Sequence, residues 1–98
     1  MKVKGNAAHI ALNSEEGNNA FILAAAGLLK LNLGEIDDET LANIGIIEGG
    51  ELTSIIPGEV TVVGEVRSFS KDKLNKQLQH MEDAMRKAVE DRGGSVDV

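Results

Sequence analysis

The chain has 98 residues, of which 42% are apolar and 27% charged, and a formal net charge of −6. That length supports one two-layer core and leaves no room for a deep catalytic cleft beside it. The acidic balance excludes a nucleic-acid surface, which needs clustered Lys and Arg; no apolar run reaches the roughly 18 residues of a membrane-spanning helix; and without Cys there is neither a disulfide nor a thiolate metal site.

The first ten residues are too polar for a secretory leader, and with the lack of Cys this reads as a cytoplasmic chain. Residues 2–9 read as a first strand, with Val3, Gly5 and Ala7 on one face. Asn13-Ser14-Glu15-Glu16-Gly17 follows as a turn, with Ser14 as helix cap and the two acids at the positive end of the helix dipole. A helix over 18–31 carries an apolar stripe of Phe21, Ile22, Ala25, Leu28 and Leu29. Its other side, Leu23, Ala24, Ala26 and Gly27, is uncharged as well, so the helix is predicted to be buried twice, the second time against another protein.

Residues 34–40 read as an acidic loop without the alternating oxygen ligands of a calcium site. A second strand over 41–48 turns Ala42, Ile44 and Ile46 inward and ends at Gly49-Gly50. After a loop of about ten residues, long for a hairpin, a third strand over 59–67 puts Val60, Val62 and Val66 on one face. Ser70 caps a second helix over 71–91, whose stripe is Leu74, Leu78, Met81, Met85 and Ala88/Val89. Gly93-Gly94 stops it, and residues 95–98 begin a fourth strand. The expected fold class is α+β: a β-α-β-β-α-β ferredoxin-like two-layer sandwich, with two helices on one face of a four-stranded antiparallel sheet. Right-handed crossovers put the first strand beside the third, read here as parallel neighbours, and the second and fourth at the edges. The chain is read as a single domain over 1–98, with both ends looking cut as in a piece excised from a longer protein.

Three stretches carry a resemblance. Gly5-Asn6-Ala7-Ala8-His9, followed by Asn13-Ser14-Glu15-Glu16-Gly17-Asn18-Asn19-Ala20, is similar to the pattern G-K-x-x-H-A-G … P-E-x-G-x-N-A. Ile44-Gly45-Ile46-Ile47-Glu48-Gly49-Gly50, then Ser54-Ile55-Ile56-Pro57, is similar to G-x-I-x-G-G … N-x-x-P. Val60 to Arg67 is similar to a strand ending in E-x-R. In this order and register the chain resembles the dimerisation (lid) domain of the zinc-dependent aminopeptidase, aminoacylase and glutamate-carboxypeptidase family, with its nearest flavour in peptidase T-like tripeptidases. It departs at Ile10-Ala11, where the family has Ala-Gly, and at Ser54, where the family has Asn.

The resemblance implies a role for each matching position. His9 corresponds to a histidine that reaches across the two-fold axis into the partner's zinc site, Arg67 to an arginine that recognises the substrate carboxylate, and Ser54 to a substrate- or oxyanion-contacting asparagine. The all-round apolar first helix (Leu23, Ala24, Ala26, Gly27) and the second strand as an open edge (Leu41, Asn43, Gly45, Ile47) are read as the contacts of a homodimer. The resemblance also implies a catalytic domain elsewhere in the parent chain, which binds the zinc and the peptide. This chain offers no metal ligands: His9 and His80 fall on different elements, and the Glu15-Glu16 pair reads as helix capping. The isolated chain is therefore expected not to hydrolyse peptides. Two rivals share the topology: a free-standing ACT-like regulatory domain that binds amino acids, and a small phosphatase of the acylphosphatase type, disfavoured because the segment after the first strand has no Arg.

Overall fold

The computed structural model describes all 98 residues. Strand β1 (Lys2–Lys4) and strand β2 (Ala8–His9) are followed by a single 3-10 turn at Ser14–Glu16 and helix α1 (Ala20–Leu28). Next come strands β3 (Gly34–Asp37), β4 (Thr40–Gly49), β5 (Ile55–Ile56) and β6 (Glu59–Ser68), helix α2 (Lys71–Glu90) and strand β7 (Ser95–Asp97). The main sheet has five strands in the order β3-β4-β6-β1-β7; β2 and β5 form a separate two-stranded ribbon. Every pairing is antiparallel, β1 with β6 included.

The sheet is therefore wider than the four strands expected. The extra strand is β3, in the acidic stretch read as a loop, which pairs with the start of β4. Only Ile36 in it is apolar, so no alternation announces it. The first predicted strand breaks in two at Gly5. A side chain there would run into the Asn18 carbonyl oxygen, and the break lets Asn6 and Asn18 exchange backbone bonds of 2.9 Å.

One face of the sheet is covered. Val3, Val60, Val62 and Val96 meet Ala20, Leu23 and Ala24 of α1 and Met85 and Val89 of α2 in one aliphatic core. Helix α1 is rotated from its expected setting. Leu23 and Ala24 are 1% and 2% exposed, Gly27 is buried, and Ile22 and Leu29 stand out at 57% and 86%. The cause is the crossing with α2. A side chain at Gly27 would collide with Met85, so the helices approach over the small residues and leave the large ones outside. A helix apolar on every side carries no periodicity to choose a face. Its cap is Asn19, whose Oδ1 accepts from the Phe21 nitrogen at 2.9 Å, rather than Ser14.

Helix α2 starts as read: the Ser70 hydroxyl accepts from the Lys73 nitrogen at 3.3 Å. Its buried line is Gln77, Met81, Met85 and Val89, and Leu78 is half out. Gln77 spends its amide on the Asn32 carbonyl at 2.8 Å and thereby ties down the chain leaving α1. At the far edge, the Arg86 guanidinium donates to the Val96 carbonyl of β7 at 2.7 Å, and Lys4 pairs with Asp97 at 2.7 Å.

The β3–β4 turn is held electrostatically. Asp37 accepts from the Glu39 nitrogen at 2.8 Å, and Lys73 lies 3.7 Å from Asp37 and 3.3 Å from Glu39. The Glu39 amide first, then the Thr40 hydroxyl and Lys73, hold the Asp37 carboxyl below its ordinary value of 3.8. A lowered carboxyl contributes stability above its unfolded value and loses it as pH falls through the folded one. Asp37→Asn is therefore expected to lower the melting temperature slightly at neutral pH and to flatten its decline below pH 3.8, read from melts across the acid range.

Candidate functional site

His9 ends β2, and Ser54 immediately precedes β5. His9 is the register partner of Ile55, and the Ile10 nitrogen donates to the Ser54 carbonyl at 3.0 Å, so the two candidate residues share one tip. The tip is internally braced. Asn13 accepts from the His9 nitrogen at 2.8 Å and donates to Glu16 at 2.9 Å. The nitrogens of Leu12 and Asn13 return to the His9 carbonyl at 3.2 and 3.0 Å. No non-glycine residue has positive φ, so the turn closes through Ile10-Ala11 without the family's glycine. The Ala11 nitrogen donates to His9 Nδ1 at 3.1 Å. An accepting Nδ1 puts the ring proton on Nε2, so the neutral imidazole presents an N–H donor. Ile10, Leu12 and Leu52 are exposed around it.

Arg67 lies elsewhere. Because β1 and β6 are antiparallel, His9 lies past the start of β6 and Arg67 near its end, a separation of roughly 26 Å along the strand. The two do not gather at one edge, as parallel neighbours would have placed them. Arg67 is exposed on the face away from the helices, opposite Leu41, with its Nε on Glu65 Oε1 at 3.1 Å. Any carboxylate binding there must displace Glu65, a weak opponent in water.

Between these two ends runs β4. Strand β3 covers it at Thr40, Leu41 and Ala42 only; from Asn43 to Gly49 it has a neighbour on one side. Leu41 is thus not on the open edge, whereas Asn43, Gly45 and Ile47 are. A one-residue bulge at Gly45 reverses the alternation: Ile44 pairs with Gly64, but Ile46 pairs with Val63 and Ile47 with Val62. Ile47, not Ile46, therefore shares the helix side of the sheet with the buried Val62. Of the expected α1 contacts, Leu23, Ala24 and Gly27 are spent inside the chain, and Ala26 is half-buried. The apolar groups left to meet a second molecule on α1 are Phe21, Ile22, Ala25 and Leu29.

No three His, Asp or Glu side chains converge closely enough to hold a metal. His80, whose Nε2 accepts from the Asn32 nitrogen at 3.0 Å, is committed to the α1–α2 connection. The residues of this chain do not fit a zinc site. No helix is long and apolar enough to cross a membrane.

A braced histidine thus stands at one end and an exposed arginine at the other, with an open stretch of sheet edge between them. Residues 1–93 match the family of the peptidase dimerisation domain, and the chain belongs to that family. It is 40% identical over 94 residues to protein YqjE of Bacillus subtilis (strain 168), a match over 96% of this chain and 25% of that protein. The aminopeptidase PepT from Bacillus cereus superposes with a TM-score of 0.91 at 36% identity, over 98% of this chain and 26% of its own. A tripeptidase from Staphylococcus aureus gives 0.87 at 34% identity, over 96% of this chain and 25% of its own. The chain thus spans about a quarter of the length of the proteins it matches.

Phe69 escaped the sequence reading. Phe69 follows β6 directly, and its nitrogen donates to the Glu39 carbonyl at 3.2 Å. As one of only two aromatic residues in the chain, spaced two from the candidate Arg67, it was the available signal.

Proposed function

We propose that this chain is the dimerisation domain of a zinc-dependent, cytoplasmic tripeptidase or aminopeptidase of the peptidase T type. In that enzyme it joins two protomers and completes each active site from both. The observation that carries the reading is the open stretch Asn43–Gly49 lying between the two candidate ends. An unpaired edge is a template for another strand, and a two-fold axis makes the pairing antiparallel and self-complementary. Antiparallel pairing of β4 with its copy brings the His9–Ser54 tip of one protomer towards the Arg67 end of its partner. The substrate carboxylate is then held by Arg67 of the protomer whose catalytic domain binds the peptide. His9 and Ser54 arrive from the other protomer, and the Nε2–H of His9 donates to the oxygen that becomes negative as the tetrahedral intermediate forms. A zinc ion is expected in the catalytic domain, outside this chain, where it would supply Lewis-acid chemistry when bound.

Association is tested by sedimentation of the chain and its Ile22→Glu variant. Ile22 is exposed on α1, so the variant folds, and the expected result is a shift from dimer to monomer with unchanged circular dichroism. An unchanged dimer would remove α1 from the interface. Ala24→Glu, the substitution suggested by the expected helix setting, would place a charge in the core and report on folding instead.

A further inference from the structure

We infer that Phe69 and Leu41 select the side chain of the substrate's C-terminal residue, favouring apolar residues and rejecting acidic ones. This rests on the reading of Arg67 as the carboxylate-binding group. Arg67 is exposed, but it has a shallow groove beside it. It lines this groove, of about 440 Å³, together with Leu41 and Phe69, and the carboxylates of Glu35, Asp37, Asp38 and Glu39 line the same groove. Register fixes this company: Leu41 is the cross-strand partner of Arg67, and Ser68, between Arg67 and Phe69, pairs with Thr40. Phe69 is 94% exposed and Leu41 53%, so neither contributes to the core and both keep their surface for whatever occupies the groove.

A peptide whose terminal carboxylate lies on the Arg67 guanidinium has its last Cα within one side-chain length of these two residues. An aliphatic or aromatic side chain at that Cα removes apolar surface from water on both partners. A carboxylate side chain meets four acids: Asp37 and Glu39 share Lys73, whereas Glu35 and Asp38 have no cation paired to them. The groove thus combines one anchor for the main-chain carboxylate with apolar side chains and an acidic lining. A tripeptide ending in Leu or Phe suits all three, and one ending in Asp or Glu fails at the acids.

The test uses the zinc-loaded full-length enzyme that contains this chain and compares kcat/KM for Ala-Ala-Phe, Ala-Ala-Gly and Ala-Ala-Asp. In the unmodified enzyme Ala-Ala-Phe is expected to exceed Ala-Ala-Asp by at least about tenfold. Phe69→Ala is expected to lower kcat/KM for Ala-Ala-Phe by about tenfold, in the range of one to three methylenes in an apolar pocket, while Ala-Ala-Gly changes less than about twofold. Glu35→Gln with Asp38→Asn is expected to recover Ala-Ala-Asp selectively. These positions are on the surface, so loss of folding does not confuse the result. Arg67→Ala separates the two levels of the argument. If it leaves all three peptides untouched, the reading of Arg67 fails. If it impairs all three while Phe69→Ala leaves their ratios unchanged, the carboxylate site stands and the selectivity inference is overturned.

Discussion

If His9 supplies the oxyanion donor proposed above, replacing it by alanine in the full-length protein is expected to lower kcat by about 10²–10³, with little change in KM. Arg67→Ala is expected to act mainly on KM, by about tenfold or more, since a charge-assisted contact to a carboxylate contributes about 1.5–3 kcal/mol. The informative experiment mixes the two variants. If His9 serves the partner's site and Arg67 its own, a dimer of one His9→Ala and one Arg67→Ala protomer has one intact site and one doubly impaired site. Random exchange in an equal mixture then restores about a quarter of the normal number of sites, because half of the dimers are mixed and each has one good site of two. Activity that rises on mixing and returns to baseline when exchange is blocked is the expected result. Activity equal to the mean of the separate variants would place both residues in one protomer's site and defeat the trans arrangement.

The second large effect concerns folding. Leu23→Ala is expected to destabilise the isolated chain by about 3 kcal/mol, because it opens a cavity in the centre of the core. At roughly 4–8 °C per kcal/mol for a domain of this size, the melting temperature falls by about 12–24 °C. Leu29→Ala, six residues later at the C-terminal cap of the same helix but exposed, is expected to cost under about 0.5 kcal/mol in the monomer. The reverse ranking in thermal melts would mean that the helix sits as its periodicity first indicated, with Phe21 and Leu29 inward.

That contrast shows what the sequence made legible. Strand β6 and helix α2 were readable because each repeats at one period, and β4 because its apolar run ends at a glycine pair. Ser70, Gly49-Gly50 and Gly93-Gly94 punctuate them where expected. Helix α1 was readable as a helix but not as an oriented one, since Leu23 and Leu29 are the same residue type and only the close passage of Met85 over Gly27 distinguishes their sides. The inversion at Gly45 was hidden for a related reason: Ile44, Ile46 and Ile47 are chemically alike, and a bulge shows itself only in register. Strand β3 was invisible because it is polar and borrows its order from β4. His9 and Ser54 were found through the resemblance, and the structure adds their shared tip. Their distance from Arg67 follows from strand direction, which no local pattern encodes.

The two rims of the sheet are not alike. On one, β4 leaves seven successive positions, Asn43 to Gly49, free to take another strand. On the other, β7 is three residues long, its Val96 carbonyl is already claimed by Arg86, and Asp97 is paired with Lys4. Short, charged and occupied rims resist further addition. A molecule with one receptive rim and one sealed rim stops growing when two receptive rims have met, so the same backbone chemistry that drives fibres elsewhere is expected here to end in a closed pair.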